Sequence, residues 1–496
     1  MRQFDTATDP PEAIHAALTA RDHARNAQIE ATVRAILDDV KTRGDAAVLD
    51  YTRRFDWPEA TLEKMSQTGD HLEVQYDHLV SDADSEILNQ VASNIKEFHL
   101  AERGHLQSWL QTSTDGAATI TGQLLQPIKR AGIYVPGGKA AYPSTVLMAA
   151  IPAVVAGVEE IIICTPSDDT GNILPLLGRA ACYYVERLYK IGGAQAIAAM
   201  AYGTETVPKC DVIVGPGNQY VNIAKKLVYG ECAIDMLAGP SEVAIVADEY
   251  AKPALVAADI LAQTEHGHDN KGVLFSHSLE LLEQAKAELS RQRAQLSRKE
   301  ILDATALNLI FVKTNSLEES LTLSNIFAPE HLELMVREPL AALPLVRNAG
   351  AVLLGEHTSA SIGDYWAGPS HTLPTAGAAR FSSPLSVNTF LKRTSVVYYS
   401  QKAAEDAAED VARFAEAEGF DGHAAAARLR GPGVGTGTGS AGLLVNESVS
   451  DTKDAVVAEQ IRSNAVFRIL SLDSRPALPV PVPLALSDSG TAEGQS

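Results

Sequence analysis

Residues 131–136 read AGIYVP, and the same short β-branched run closed by a Gly/Pro turn returns as EEIIICTP (159–166), RLYKIGG (187–193), DVIVGPG (211–217) and EVAIVAD (242–248). A segment of helical periodicity follows each run. Antiparallel strands need only a tight turn between them, so strands regularly separated by helices predict a parallel sheet with crossover connections. The scheme continues through GVLFS (272–276), a charged helix near 279–297, LNLIFVK (307–313), a helix opened by Ser316 and Glu319 as a capping box, and AVLLG (351–355). Two α/β layers, divided near residue 240, are expected.

Upstream, IEATVRAILDDVKTR and DAAVLDYTRRF read as two amphipathic helices broken at Gly44, with a further helix at about 82–103. Downstream of Arg430 the stretch GPGVGTGTGSAG has the composition of a flexible linker, and the chain ends in a Pro-rich and then Ser/Gly-rich tail.

A chain of 496 residues, 46% hydrophobic and 21% charged, exceeds one compact core. Its formal charge of −21 and lack of a long Lys/Arg block argue against nucleic acid or an anionic membrane as partner, since both need a concentrated positive field. Small-molecule chemistry is the better expectation. Cys164, Cys182, Cys210 and Cys232 form no CxxC pair and sit in or beside apolar runs, as reduced thiols in a core do. With no basic, apolar leader and no long apolar span, a cytoplasmic location is expected.

Reactive side chains concentrate between 259 and 371, with one more group near 418. In DILAQTEHG (259–267), Gln263 and His266 share a helical face ahead of Gly267, a geometry suited to a metal ion or simply to a polar helix end; the neutral amide is a weak zinc donor. In FAPEHLEL (327–334), Glu330 adjoins His331, suited to proton transfer or to a solvated pair. The loop SIGDYWAGPSHTLPT (361–375) presents Asp364 and His371, the former an oxygen ligand or a turn carboxylate. EGFDGH (418–423) ends the last helix with Glu418 and His423 beside a glycine cap. No GxGxxG follows a strand, so the usual dinucleotide fingerprint is missing. Turns at strand ends stand in its place: YVPGG (134–138), GGAQA (192–196) and GPGN (215–218), where glycine permits close backbone approach or merely a tight turn.

Taken together, RAGIYVPGGKAAYPSTVLMAAIPA, IGGAQAIAAMAYGTETVPKCDVIVGPGN, AIDMLAGPSEV, LAQTEHG, FAPEHLEL and GDYWAGPSHTLPT closely resemble the histidinol dehydrogenase family, from about residue 28 to 430. The resemblance implies two Rossmann-like α/β domains with incomplete parallel sheets, a helical N-terminal segment (1–28) and a C-terminal arm (386–430) exchanged in a homodimer. It assigns 29–132 with 240–385 to a first domain carrying zinc and catalytic residues, 133–239 to a second contacting NAD, and 431–496 to a flexible linker and tail. One zinc ion per subunit is implied on Gln263, His266, Asp364 and His423, the last from the partner subunit's arm. Ser241, Gln263, His266, His331, Asp364, Glu418 and His423 are implied to contact L-histidinol, and Tyr134, Gln195 and Asn218 to contact NAD. His331 would take the alcohol proton, Glu330 would activate water on the enclosed aldehyde, and Glu418 would pair with the substrate ammonium, giving histidine after two oxidations. Leu237, Pro369 and Ser370 depart from the family pattern without removing a catalytic side chain. A paralogue sharing the scaffold and acting on another polar alcohol, such as a sulfonated propanediol, is the competing expectation; it should lose the ammonium partner, yet Glu418 and His371 are both present.

Overall fold

The computed structural model describes residues 1–20, 26–113, 119–137 and 142–432. The linker and tail expected over 431–496 therefore lie outside the described residues from 433 onward. Strands run in chain order as β1 (Arg2–Asp5), β2 (Ser66–Thr68), β3 (Trp109–Thr112), β4 (Thr119–Pro127), β5 (Arg130–Tyr134), β6 (Glu160–Cys164), β7 (Arg187–Tyr189), β8 (Val212–Val214), β9 (Ala233–Ile234), β10 (Glu242–Ala247), β11 (Lys271–Ser276), β12 (Leu309–Lys313), β13 (His331–Met335), β14 (Ala351–Leu354) and β15 (Leu391–Tyr399).

One six-stranded sheet has the order β1-β12-β11-β10-β13-β14 and is parallel throughout. A second has the order β2-β7-β6-β5-β8-β9, parallel apart from β2. Apart from the edge strands β1 and β2, the chain in each starts in the middle, winds to one side, returns and winds to the other. Counted from β10 or from β5, both give the order 3-2-1-4-5 of a doubly wound half. β10 shows why its sequence is an unbroken apolar run: Val243, Ile245 and Ala247 face one helical layer with Ile260 and Leu282, while Ala244 and Val246 face the other with Leu18 and Phe327.

Two expectations about organisation are corrected. The N-terminal segment is not wholly helical, because Arg2–Asp5 pairs with β12 as an edge strand before α1 (Pro11–Thr19) begins. Likewise α2 (Asn26–Arg43) and α3 (Asp45–Phe55) do not join the first sheet. Their stripe of Val33, Ile36, Leu37, Val40 and Val48 packs with Ile197 and Val221 on the helices of the second sheet. An amphipathic stripe states how much apolar surface must be covered, not which sheet covers it.

Four further helices position the site: α4 (Gly193–Tyr202), α5 (Gln219–Val228), α6 (Pro253–Thr264) and α7 (Ala360–Tyr365). The described residues within 107–125 and 393–432 form a separate compact unit. It holds the sheet ordered β15-β4-β3 and the helices α8 (Gln401–Ala417) and α9 (Asp421–Arg428), pinned together where Arg428 reaches both Glu409 and Glu416. Among the described residues no helix is long and apolar enough to cross a membrane, and all four cysteines are free thiols.

Candidate active site

β10, β13 and β14 start in register, with His331 beside Val243 on one side and Ala351 on the other. Residues at or just before these starts therefore gather along the amino edge of the first sheet. Ser241 precedes β10, and its backbone N–H donates to Asn270 Oδ1 at 3.1 Å. The Asn270 amide in turn donates to the Gln263 carbonyl at 3.0 Å. One buried asparagine thus ties Ser241 to the end of α6. Gln263 is itself buried, and its Nε2 lies 3.4 Å from Asp364 Oδ2.

His331 Nε2 meets Asp364 Oδ1 at 3.1 Å. On the other side of the ring, His331 Nδ1 lies 3.8 Å from Glu330 Oε2, which accepts the Glu242 backbone N–H at 3.0 Å. His371 Nδ1 donates to the Asp364 carbonyl at 3.0 Å, and its Nε2 lies 3.4 Å from Thr145 Oγ1. Local structure departs from expectation at two places here. α6 ends at Thr264, so His266 lies beyond the helix rather than on its face. Asp364 is on the helix α7, not a loop, because Ser359 caps it by accepting the Ile362 N–H.

Burial is the largest single influence on each of these groups, though neighbours together outweigh it at two of them. It pushes the Glu330 carboxyl up to about 7, against the opposing pull of His331 and the Glu242 N–H. The same burial works to lower His331, but Asp364 and Glu330 together outweigh it and the net shift is upward. Burial would raise Asp364, yet its bond to His331, with the charges of His331, His371 and His266, holds it below the usual carboxylate range. A carboxyl poised near neutrality beside an imidazole biased toward protonation is suited to moving protons at physiological pH.

The second sheet assembles the other expected group at its carboxyl edge. Tyr134 ends β5, and its hydroxyl accepts the Gly193 N–H at 3.1 Å; burial raises that hydroxyl to about 12. Gln195 is buried in the first turn of α4, and Asn218 caps α5 by accepting the N–H groups of Tyr220 and Val221. Gly215 has φ +109°, and a Cβ there would stand 2.1 Å from the Tyr134 carbonyl, so no other residue fits. Beneath this turn Lys225 Nζ donates to the Gly215 carbonyl at 2.9 Å and pairs with Asp235, both side chains fully buried. Asp235 Oδ2 also accepts the Gly215 N–H at 2.8 Å.

Glu418 and His423 belong to the separate unit. Glu418 closes α8 ahead of Gly419 at φ +82°, but a further helix follows, and His423 sits in the first turn of α9 with its ring 5.4 Å from that of Phe420. Among the described residues no three His, Cys, Asp or Glu side chains converge to hold an ion. The ligand set expected in the larger unit contains only two such residues, His266 and Asp364, alongside the Gln263 amide. Carboxylate, imidazole and a side-chain amide make an O/N donor set whose chemistry is compatible with a divalent cation.

Sequence reading missed Asn270, Glu242, Lys225 and Asp235. Each acts as a support rather than as a reacting group, and their only visible signal is a polar residue next to an apolar run. Two wound sheets, one with glycine turns at its carboxyl edge and the other with a buried carboxyl–imidazole cluster suited to proton transfer, define a doubly wound α/β protein with the makings of an enzyme site. The histidinol dehydrogenase family model matches residues 19–431. Histidinol dehydrogenase of Synechococcus sp. is 47% identical over 403 residues, 81% of this chain and 92% of that protein. The Bacillus subtilis enzyme of the same name is 45% identical over 402 residues, 80% of this chain and 92% of that one. The crystal structure of histidinol dehydrogenase from Elizabethkingia anophelis superposes with a TM-score of 0.81 at 36% identity, covering 87% of this chain and 98% of that one. The chain belongs to the histidinol dehydrogenase family. None of these comparisons favours the sulfonated-propanediol reading.

Proposed function

We propose that the chain carries out the NAD-dependent, four-electron oxidation of L-histidinol through L-histidinaldehyde to L-histidine, the last steps of histidine biosynthesis. The observation that carries this is the intact run Glu330–His331–Asp364, with His331 Nε2 3.1 Å from one carboxylate and Nδ1 3.8 Å from the other carboxyl. His331 takes the alcohol proton. Glu330, buried and held by the Glu242 N–H, then takes a proton from the water that hydrates the aldehyde. Tyr134, Gln195 and Asn218 contact NAD, which accepts a hydride in each oxidation. Ser241, Gln263, His266, His331, Asp364, Glu418 and His423 surround histidinol, with Glu418 against its ammonium.

Gln263, His266, Asp364 and His423 would hold one zinc ion per subunit, whose contribution is to orient the substrate's imidazole and amine. Burial of Gln263 beside Asp364 supports such a set: its amide nitrogen lies 3.4 Å from Asp364 Oδ2, and turning the amide over would offer its oxygen to a cation on that carboxylate. A homodimer with exchanged arms is supported by the apolar surface of the smaller unit. Val397, Val411, Phe414, Phe420 and Leu429 are all exposed there, more than a solvated arm should carry. Free, mostly buried thiols fit a cytoplasmic enzyme. The test is zinc analysis of purified protein combined with counting NADH per histidinol consumed, where about two is expected for four electrons. A ratio of one, or inertness toward histidinol with activity on a sulfonated diol, would reject the reading.

A further inference from the structure

Glu333 is the second residue after His331 on the same face of β13, and its side chain is fully buried. The layer packed against that face includes the apolar Val243, Ile245, Ala257, Ile260 and Met335. Glu333 Oε1 accepts the Ala360 N–H at 3.1 Å, at the first residue of α7. Among the described residues its Oε2 meets no N–H or hydroxyl donor, and the Glu333 carboxyl lies within hydrogen-bonding reach of the Asp259 carboxyl on α6. The other charge that acts strongly on Glu333 is the Asp364 carboxylate, also negative. Two carboxylates cannot face each other in an apolar layer without a cation between them, and the smallest available is a proton.

We propose that Glu333 and Asp259 share one proton, and that this carboxyl pair is a positioning device that sets the spacing of the residues at the active site. The placement makes the case. Asp259 lies one helical turn before Gln263 on α6, Glu333 lies two residues beyond His331 on β13, and the Ala360 N–H held by Glu333 lies one turn before Asp364 on α7. One proton thus bolts together the three elements that carry the amide, the imidazole and the carboxylate. Neither carboxyl touches substrate, so both act through these neighbours. The assignment of roles to Gln263, His331 and Asp364 is that of the function proposed above, on which the inference rests.

The chemistry separates two substitutions of the same residue. In Glu333→Gln the amide N–H replaces the shared proton while its oxygen keeps the Ala360 N–H; Glu333→Leu abolishes both bonds at similar volume. In the full-length zinc-loaded enzyme, Glu333→Leu is expected to lower kcat for histidinol by about a hundredfold with the KM for NAD unchanged, and Glu333→Gln to recover activity to within about threefold. Infrared difference spectra between wild type and Glu333→Gln should show the carbonyl stretch of a protonated carboxylic acid persisting at about pH 8, well above the ordinary carboxylate range. Should Glu333→Leu fail to fold, the infrared band and Glu333→Gln still decide. Lack of that band, or equal damage from Gln and Leu, overturns the proposal. The band is read without turnover, so an enzyme inert toward histidinol would reject the functional reading while leaving the shared proton testable.

Discussion

The two six-stranded sheets share one winding order and use opposite edges. In the second sheet the turns after β5, β7 and β8 present Tyr134, Gly193 and Asn218 at the carboxyl ends of the strands, where doubly wound sheets ordinarily bind ligands. In the first, Ser241, Glu330 and His331 stand at the strand starts, and Gln263 and Asp364 reach the same edge on helices that run back along the sheet. Buried polar pairs differ in the same way. The turn of the second sheet rests on an ion pair, Lys225 with Asp235, whereas the first sheet carries two facing carboxyls. One winding order has therefore been put to two purposes: a backbone cradle fixed by a charge pair, and a side-chain cluster whose protons can move.

The sharpest way to break this division is to strike the first sheet's edge and look for damage to the second. His331→Asn is expected to lower kcat by about a thousandfold, within the range for loss of a general acid–base group. Zinc content and the KM for NAD should stay at wild-type levels, measured by elemental analysis and steady-state kinetics. Substantial residual turnover would remove His331 from the proton path. Loss of NAD affinity would mean that the two edges do not work separately.

Lys225→Met strikes the other side. It strands the Asp235 carboxylate in a site with no exposed side-chain surface, and breaking one half of a buried pair costs about 3–5 kcal/mol. Urea unfolding should show that loss, and at temperatures where the variant stays folded the KM for NAD should rise while kcat changes little. A fall in kcat at unchanged KM would show that the 215–218 turn serves the chemistry rather than the cofactor.

How much of this was legible differs between the sheets for a physical reason. Strands buried on both faces announce themselves as unbroken apolar runs, so β5, β6, β8 and β10 could be read directly, and the glycine turns after them followed. The two-residue β9 and the edge strand β1 carry no such run. His331 opens its strand at the edge where ligands are not ordinarily sought, so Glu330 and His331 remained an ambiguous pair until the family resemblance singled them out. Gln263 was discounted on donor chemistry alone. Glu333 passed unnoticed because a lone carboxylate in HLELM has the spacing of a solvated strand residue, and only the surrounding layers make it buried.

The smallest effect tests whether the second sheet also depends on protonation. Asp56 follows α3, and its Oδ2 accepts the Gly192 N–H at 3.2 Å beneath the turn that Tyr134 holds from the other side. Burial raises its carboxyl to about 6, the Gly192 N–H opposing. An acid whose folded pKa exceeds its unfolded value of about 4 binds its proton more tightly when folded, so its contribution to stability is complete below about pH 4 and is lost as pH rises through about 6. The full difference is roughly 3 kcal/mol at neutral pH. Asp56→Asn keeps an oxygen for the Gly192 N–H and cannot ionise. Its stability relative to wild type should therefore climb between about pH 4 and pH 7 and then level off. Parallel urea titrations of the two proteins across that range supply the measurement. A flat difference would place Asp56 in water, and the turn would then be held by Tyr134 alone.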